Sequence, residues 1–416
     1  MVSMETKNST INKMRPEDAR FHDWYRFVLS FPPHLPRQYI NEFVKSKDAV
    51  VLDPFCGTGT TLIEAKLYGL ASIGVEANPI AKMASEVKTD WSPNPADLQK
   101  SATKVLSVAQ KIDNESTEPL SLSEEKATLL ISGSIEQVPL HRLLAIKEAI
   151  AIVSPDESAH LLLALAKTAV ESSNLKFSPE VGARGHRHDV AVYDLWLANV
   201  LAMANDLASL DEQEHPKTRV VLADSRSIDS VLGSKTVDMV FTSPPYPNEK
   251  DYTRATRLES VLLDLIESRE GLRTVKDGLL RSNTRNVYVK DDDDIWVKDN
   301  EIVSLVTEEI ERVREQRNKT SGFERLYAKT AKLYFGGMAR HLSSLRGCLS
   351  DGAVLCYVVG DQASYLQVMI RTGQILSGIA EKLGYEVVRI DQFRTRLATA
   401  TGQQLAEEVL VLRWNG

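Results

Sequence analysis

Residues 49–61 read Ala-Val-Val-Leu-Asp-Pro-Phe-Cys-Gly-Thr-Gly-Thr-Thr, and this stretch decides the fold. Ala49-Val50-Val51-Leu52 is an unbroken apolar run, short and rich in β-branched residues, as in a strand buried inside a parallel sheet. Asp53 to Thr61 then brings two glycines, and Leu62 to Tyr68 reads as an amphipathic helix, so the order is strand, glycine turn, helix. Gly57 and Gly59 allow a tight turn and close approach of a ligand to the backbone, while the helix start offers free N–H groups and a positive dipole end. A carboxylate or a ribose suits such a place. The glycines do not form Gly-x-Gly-x-x-Gly, and no Lys follows Gly59 as in a Walker loop, which disfavours a phosphate cradle.

Further strands follow on both sides of a long interruption. Ala71 to Val75 reads as the second strand and ends in Glu76, with Asn78 close behind. An acidic residue at that tip is placed to accept both hydroxyls of a ribose. Arg219 to Ala223 forms the third and ends in Asp224, which could accept from an adenine amine while Glu76 holds the sugar. Val237 to Phe241 forms the fourth, and segments at 353, 386 and 408 complete seven, with a helix between Gln367 and Leu383. The pattern predicts an α/β fold around a seven-stranded Rossmann-like sheet whose ligand groups lie at the carboxyl ends of its strands.

The fourth strand runs into Thr242-Ser243-Pro244-Pro245-Tyr246. Two prolines fix φ and donate no N–H, so the loop offers carbonyl oxygens and an aromatic face in a geometry that cannot easily relax. Ser243 adds an acceptor, the Pro244 carbonyl a second, and Tyr246 a ring on which a flat base can stack. This suits a planar group bearing amine hydrogens.

The 416 residues and formal charge of −7 describe a globular chain with no general attraction to phosphate polymers, so contact with nucleic acid requires local basic surface. Cys56, Cys348 and Cys356 have neither disulfide nor metal-ligand spacing, and a reducing cytoplasm is the natural compartment. No stretch has the roughly 18 uninterrupted apolar residues that suggest a membrane span. Residues 21–43 are expected to lie as a packing segment against the sheet. Between residues 92 and 216 the apolar spacing predicts a mostly helical insertion, with Lys176, Arg184, His186, Arg187 and His188 in a glycine-containing loop suited to phosphates or base edges. Without a third ligand residue near the two histidines, that loop reads as solvated and no metal site is expected. A second irregular region carries Arg269, Arg273, Lys276, Arg281, Arg285 and Lys290, then an acid run, Asp291 to Asp294, read as solvated surface.

Asp53-Pro54-Phe55-Cys56-Gly57-Thr58-Gly59-Thr60-Thr61 together with Thr242-Ser243-Pro244-Pro245-Tyr246 resembles the S-adenosylmethionine-dependent amino-methyltransferases that modify exocyclic amines of DNA bases. The Ser-Pro-Pro-aromatic form is that of the cytosine-N4 enzymes, whereas Asp-Pro-Pro-Tyr is typical of adenine-N6 enzymes. The resemblance covers residues 20–90, 216–265 and 336–416 and implies that these form the catalytic methyltransferase domain. It leaves 91–215 as a helical insertion and candidate target-recognition region, and 266–335 as a second insertion that is a candidate for contact with the DNA backbone. It implies that Asp53, Phe55, Gly57, Gly59 and Thr60 surround the cofactor's methionine end, with Phe31 and Pro32 beside it. Glu76 then takes the ribose and Asp224 the adenine, Asn78 and Thr242 are further cofactor-binding residues, and Ser243, Pro244, Pro245 and Tyr246 form the catalytic loop. The glycine turn precedes the Pro-Pro loop, which excludes the permuted arrangement, while the long insertion after the second strand departs from the usual spacing.

The implied partner is double-stranded DNA, with a cognate restriction endonuclease or another defence-system protein as a candidate companion. A stacked base cannot reach such a pocket, so the target must be flipped out. The absence of cysteine from the Pro-Pro loop disfavours attack on C6 and methylation at C5. Three rivals share the motifs: adenine N6, guanine N2 of RNA, and a catalytically silent DNA-binding protein.

Overall fold

The computed structural model describes residues 14–26, 30–153, 158–177, 180–211, 214–248, 250–397, 402 and 404–416. The expected sheet is present, with strands β1 (Val50–Asp53), β2 (Ala71–Glu76), β5 (Thr218–Leu222), β6 (Val237–Thr242), β7 (Leu349–Gly360), β8 (Glu386–Leu397) and β9 (Gln404–Arg413). A separate two-stranded hairpin consists of β3 (Leu175–Lys176) and β4 (Gly182–Ala183). The order across the large sheet is β5-β2-β1-β6-β7-β9-β8, the arrangement of a Rossmann-like methyltransferase. All neighbours from β5 to β7 pair in parallel, and β9 runs antiparallel to both β7 and β8.

This order fixes where a ligand can bind. From β1 the chain moves outward through β2 to β5, then returns to the other side of β1 as β6 and continues to β7. Connections leaving β1 and β6 therefore diverge, and a crevice opens outside their carboxyl ends. The pairing of Val51 with Met239 and of Leu52 with Val240 sets the two strands in register. It brings the glycine turn and the Pro-Pro loop side by side.

Alternation along the strands sends residues to two cores. Leu52 and Val240 face a cluster with α13 (Tyr327–Leu345) and α14 (Thr372–Lys382). Val51, Met239 and Phe241 face the other way, against Leu35, Tyr39 and Ile40 of α1 (His34–Phe43). The helix after the glycine turn, α2 (Thr60–Leu67), is not amphipathic as expected, because every residue from Thr60 to Lys66 is buried. It lies against the sheet between α1 and α3 (Pro79–Thr89), so that it has no solvent face to mark in the sequence.

The insertion between β2 and β5 is helical: α4 (Pro95–Glu115), α5 (Glu124–Leu129), α6 (Gln137–Val153), α7 (Ser158–Ser172) and α8 (Val192–Ala208). Its core is continuous with Ile80, Ala84 and Val87 of α3 and takes in Phe21, Trp24 and Tyr25. Phe21, Trp24 and Tyr25 thus pack into the insertion, and the expectation that residues 21–43 cover the sheet holds for Phe31 and α1, while residues 27–29 lie outside the described residues. After β6 come α9 (Tyr252–Ala255) and α10 (Arg257–Leu262). The second insertion then contributes α11 (Arg269–Asp277), α12 (Glu301–Gln316) and short 3-10 turns. Its acid run is not a solvated face. Asp293 is buried and accepts from Arg226 at 2.6 Å and Arg340 at 3.2 Å, while Asp291 accepts from Arg281 at 2.8 Å. Two carboxylates of the run thus neutralise buried guanidinium groups, Asp291 that of Arg281 in the same insertion and Asp293 that of Arg226 from a distant segment. Among the described residues, no helix is long and apolar enough to cross a membrane.

Candidate active site

At the carboxyl ends of β1 and β6 lies a cavity of about 520 Å³. One half is built on the glycine turn. Gly57 and Gly59 adopt φ of +51° and +83°, a region open to glycine but strained for other residues. The turn they make exposes the Gly57 N–H, which donates to Glu76 Oε2 at 2.8 Å, and the Asn78 N–H donates to Glu76 Oε1 at 2.8 Å. Burial raises the Glu76 pKa, and these backbone donors oppose the rise. Its carboxylate is held rigidly at the tip of β2, with lone pairs left for a ligand.

Asp53 sits below this wall, almost fully buried. Its Oδ1 accepts from the Thr242 hydroxyl at 2.6 Å and from the Phe55 N–H at 3.1 Å, whereas Oδ2 is buried without a hydrogen-bond partner. Burial pushes its carboxyl up to about 7, against the lowering effect of the hydrogen bonds from Thr242 and the Phe55 N–H. An unmatched buried carboxylate oxygen calls for a donor, preferably a cation.

The second half is the Pro-Pro loop. The Ser243 hydroxyl donates to the Val358 carbonyl on β7 at 3.3 Å, which commits its hydrogen and leaves oxygen lone pairs to accept. Tyr246 is buttressed by its backbone, whose N–H donates to the Tyr252 hydroxyl at 3.4 Å, and by Gly360, where a Cβ would come within 3.0 Å of the Tyr246 ring. Burial raises the Tyr246 pKa, and the negative Glu407 nearby raises it further, so the phenol stays protonated.

The structure brings Phe31, Pro32, Phe55, Gly57, Thr60, Glu76, Asn78, Ser243, Pro244, Pro245 and Tyr246 together around this one cavity. Asp53 and Thr242 lie behind the wall as a bonded pair, and Gly59 forms the N-cap of α2. Asp224 is not brought to the cavity. It caps the turn at Ser225–Ser230 through the Arg226 N–H, and its carboxylate is gripped by the Arg226 guanidinium at 2.7 Å. Its neighbour Ser225 lines the wall instead.

Several lining residues had no mark in the sequence. Gly278, Leu279, Leu280, Ser282 and Asn286 come from the second insertion, and Phe393, Arg394, Arg396 and Glu407 come from the β8–β9 hairpin. Glu407 is buried and pairs with Arg394 and, at 3.4 Å, with Arg396. Alternation along β8 is the one signal that could have pointed to Arg394 and Arg396, since it places both on one face. Three basic residues of the insertion are committed to ion pairs: Lys276 with Asp251 at 3.1 Å, outside the insertion, and Arg281 with Asp291 and Lys290 with Asp277 at 2.6 Å, within it. Cys56 lies in the wall, but burial raises its thiol well above the ordinary value and makes it a poor nucleophile.

Sequence comparison finds relatives among DNA methyltransferases. Residues 3–86 match the N6/N4 methyltransferase family model described as DNA methylase. The Type II methyltransferase M.AvaI of Nostoc sp. (strain PCC 7120) is 25% identical over 415 residues, which cover 91% of this chain and 81% of that protein. M.BsoBI of Geobacillus stearothermophilus, also a Type II methyltransferase, is 25% identical over 295 residues, 65% of this chain. The chain spans 57% of the length of M.BsoBI. Among solved structures, TrmN from Thermus thermophilus has a TM-score of 0.32 at 11% identity, covering 97% of this chain and 54% of that one. The rRNA methyltransferase AviRa from Streptomyces viridochromogenes has a TM-score of 0.32 at 11% identity, with coverage of 94% and 87%. The resemblance carried by the two motifs is thus borne out at the level of the N4/N6 amino-methyltransferase family.

Proposed function

We propose that the protein is a site-specific DNA methyltransferase that transfers a methyl group from S-adenosylmethionine to the exocyclic N4 of a flipped cytosine. The observation that carries this reading is Ser243, set at the first position of the rigid Pro-Pro loop with its hydroxyl hydrogen turned to Val358. The residues of the other half fit the cofactor. Asp53 Oδ2, buried without a partner, suits the methionine ammonium, and Glu76, fixed by two backbone donors, suits the ribose hydroxyls. Phe31, Pro32, Phe55 and the turn at Gly57 would surround the methionine end, and Asn78 would stand beside the sugar. Asp224, engaged by Arg226, would act on the adenine only through a rearrangement or by way of Ser225. When bound, the cofactor supplies an electrophilic methyl group on a sulfonium.

A base amine is a weak nucleophile because its lone pair is delocalised into the ring. Ser243 Oγ and the Pro244 carbonyl can hold its two hydrogens and turn the lone pair towards the neighbouring half of the cavity. The same acceptors stabilise positive charge that develops on nitrogen, and the Tyr246 ring fixes the plane of the base. Serine is a weak base, so proton loss follows transfer. Incubation with labelled cofactor and mixed DNA, followed by nucleoside digestion, tests the assignment. N4-methylcytosine is expected, and label confined to N6-methyladenine or to RNA would overturn it.

A further inference from the structure

The histidine-bearing loop of the helical insertion acquires in the fold what the sequence around it lacks. Glu136, some fifty residues upstream, approaches both histidines: its Oε1 lies 2.8 Å from His186 Nδ1 and its Oε2 lies 3.4 Å from His188 Nδ1. The two imidazoles lie parallel, with ring centroids 5.8 Å apart and an interplanar angle of 4°. One ligand atom from each of the three residues falls within 4.8 Å of the others. Spacing of i and i+2 on an extended segment turns both histidines to one side, the side Glu136 occupies.

A buried residue organises the cluster. Asn174 is 2% exposed and has its whole amide engaged. Its Nδ2 donates to Glu136 Oε1 at 3.0 Å and to the Gly133 carbonyl at 3.1 Å, while its Oδ1 accepts the Arg187 N–H at 3.0 Å. Its backbone continues the tie, because its N–H donates to Ser134 and its carbonyl accepts from Arg184. One side chain therefore aims the carboxylate and anchors the residue between the two histidines. Support of a ligating carboxylate by a buried amide is what a metal site uses to hold its ligands in place.

We propose that Glu136, His186 and His188 form a binding site for a divalent transition-metal ion of the zinc type. Two imidazoles and one carboxylate select such an ion over magnesium or calcium, which prefer all-oxygen sets. Glu136 is half-buried and held by Asn174, while the two exposed imidazoles are free to move to the positions that ligation at about 2.0–2.2 Å requires. Each imidazole now faces a carboxylate through Nδ1, and on binding it presents Nδ1 as lone pair with its proton on Nε2. Remaining positions on the ion stay open to water. The ion would add to the hydrogen bonds that already tie the loop after the β3–β4 hairpin to the segment entering α6.

Titration calorimetry of the chelator-treated full chain with Zn2+ tests the site. One ion per chain is expected, with loss of that binding in His186→Ala/His188→Ala. Asn174→Ala, which keeps all three ligands, should weaken it by about 10- to 100-fold as a positioning residue. Zn2+ should also raise the melting temperature of the wild type and leave the double variant unmoved. Absence of a binding isotherm in the wild type, or equal stoichiometry in the double variant, would overturn the proposal.

Discussion

The Thr242 hydroxyl donates a 2.6 Å hydrogen bond to Asp53 Oδ1, joining the last residue of β6 to the last residue of β1 beneath the cavity floor. This buried contact ties the glycine-turn half of the cavity to the Pro-Pro-loop half directly. It also leaves Asp53 with one satisfied and one unsatisfied oxygen.

Cofactor affinity should follow the ionisation of Asp53. Burial holds its carboxyl near 7, so the anion that would meet a ligand ammonium forms only as pH rises through that value. For folding alone, the sign is opposite to that of a salt-bridged acid: a raised pKa makes this group cost stability progressively as pH climbs from the unfolded value of 3.8 to about 7. Binding of S-adenosylmethionine should therefore tighten between pH 6 and pH 8, and Asp53→Asn should flatten that dependence while weakening binding at pH 8. Calorimetry across this range, with thermal melts alongside, checks both statements.

Ser243→Ala removes an acceptor for the amine without touching the glycine turn. The expected result is a fall in kcat of about 10²–10³-fold, the usual effect of removing one positioned dipole, with cofactor affinity unchanged. Single-turnover kinetics with a cytosine-containing duplex measure the first, and calorimetry the second.

Gly336→Ala should unseat the second insertion. A Cβ there would lie 1.9 Å from the Asp293 carbonyl oxygen, which is backbone and cannot swing aside. A loss of about 3 kcal/mol is expected, at the upper end for overpacking. Asp293→Ala attacks the same junction electrostatically by removing one of the carboxylates on buried Arg226, at a cost of about 3–5 kcal/mol. Denaturant titration measures each variant.

Lys250 lines the cavity and burial lowers its pKa, whereas Lys290 already pairs with Asp277 at 2.6 Å. Lys250→Ala should weaken DNA binding and reduce the slope of log affinity against log salt by about one, the signature of one lost phosphate contact. Lys290→Ala should leave that slope alone. Fluorescence anisotropy over a salt series distinguishes them.

The sheet and both halves of the cavity were legible because each rests on local features. Apolar runs mark the strands, glycines mark the turn, and two prolines mark the loop. What local pattern could not supply was partnership. Asp224 was read as a free strand-tip acid, yet Arg226, two residues on, claims it, and Arg226 is itself fixed by Asp293 from a distant segment. The acid run looked solvated for the same reason. Arg394, Arg396 and Glu407 reach the cavity through the pairing of β8 with β9, and that register depends on long-range contact.

The register between β1 and β6 has one further consequence. Main-chain pairs at Val51–Met239 and Leu52–Val240 align the two loops, while both insertions leave the chain at other places. On the proposed function, the spacing between methyl donor and acceptor would then be set by peptide geometry common to any sequence that can form these strands. The helical insertion, which leaves the chain after β2, could then diverge or lengthen without moving the two loops, whereas the second insertion lines the cavity and is tied to it. On that reading, a single chemical engine could be refitted to new target sequences while the register of β1 against β6 stays constant.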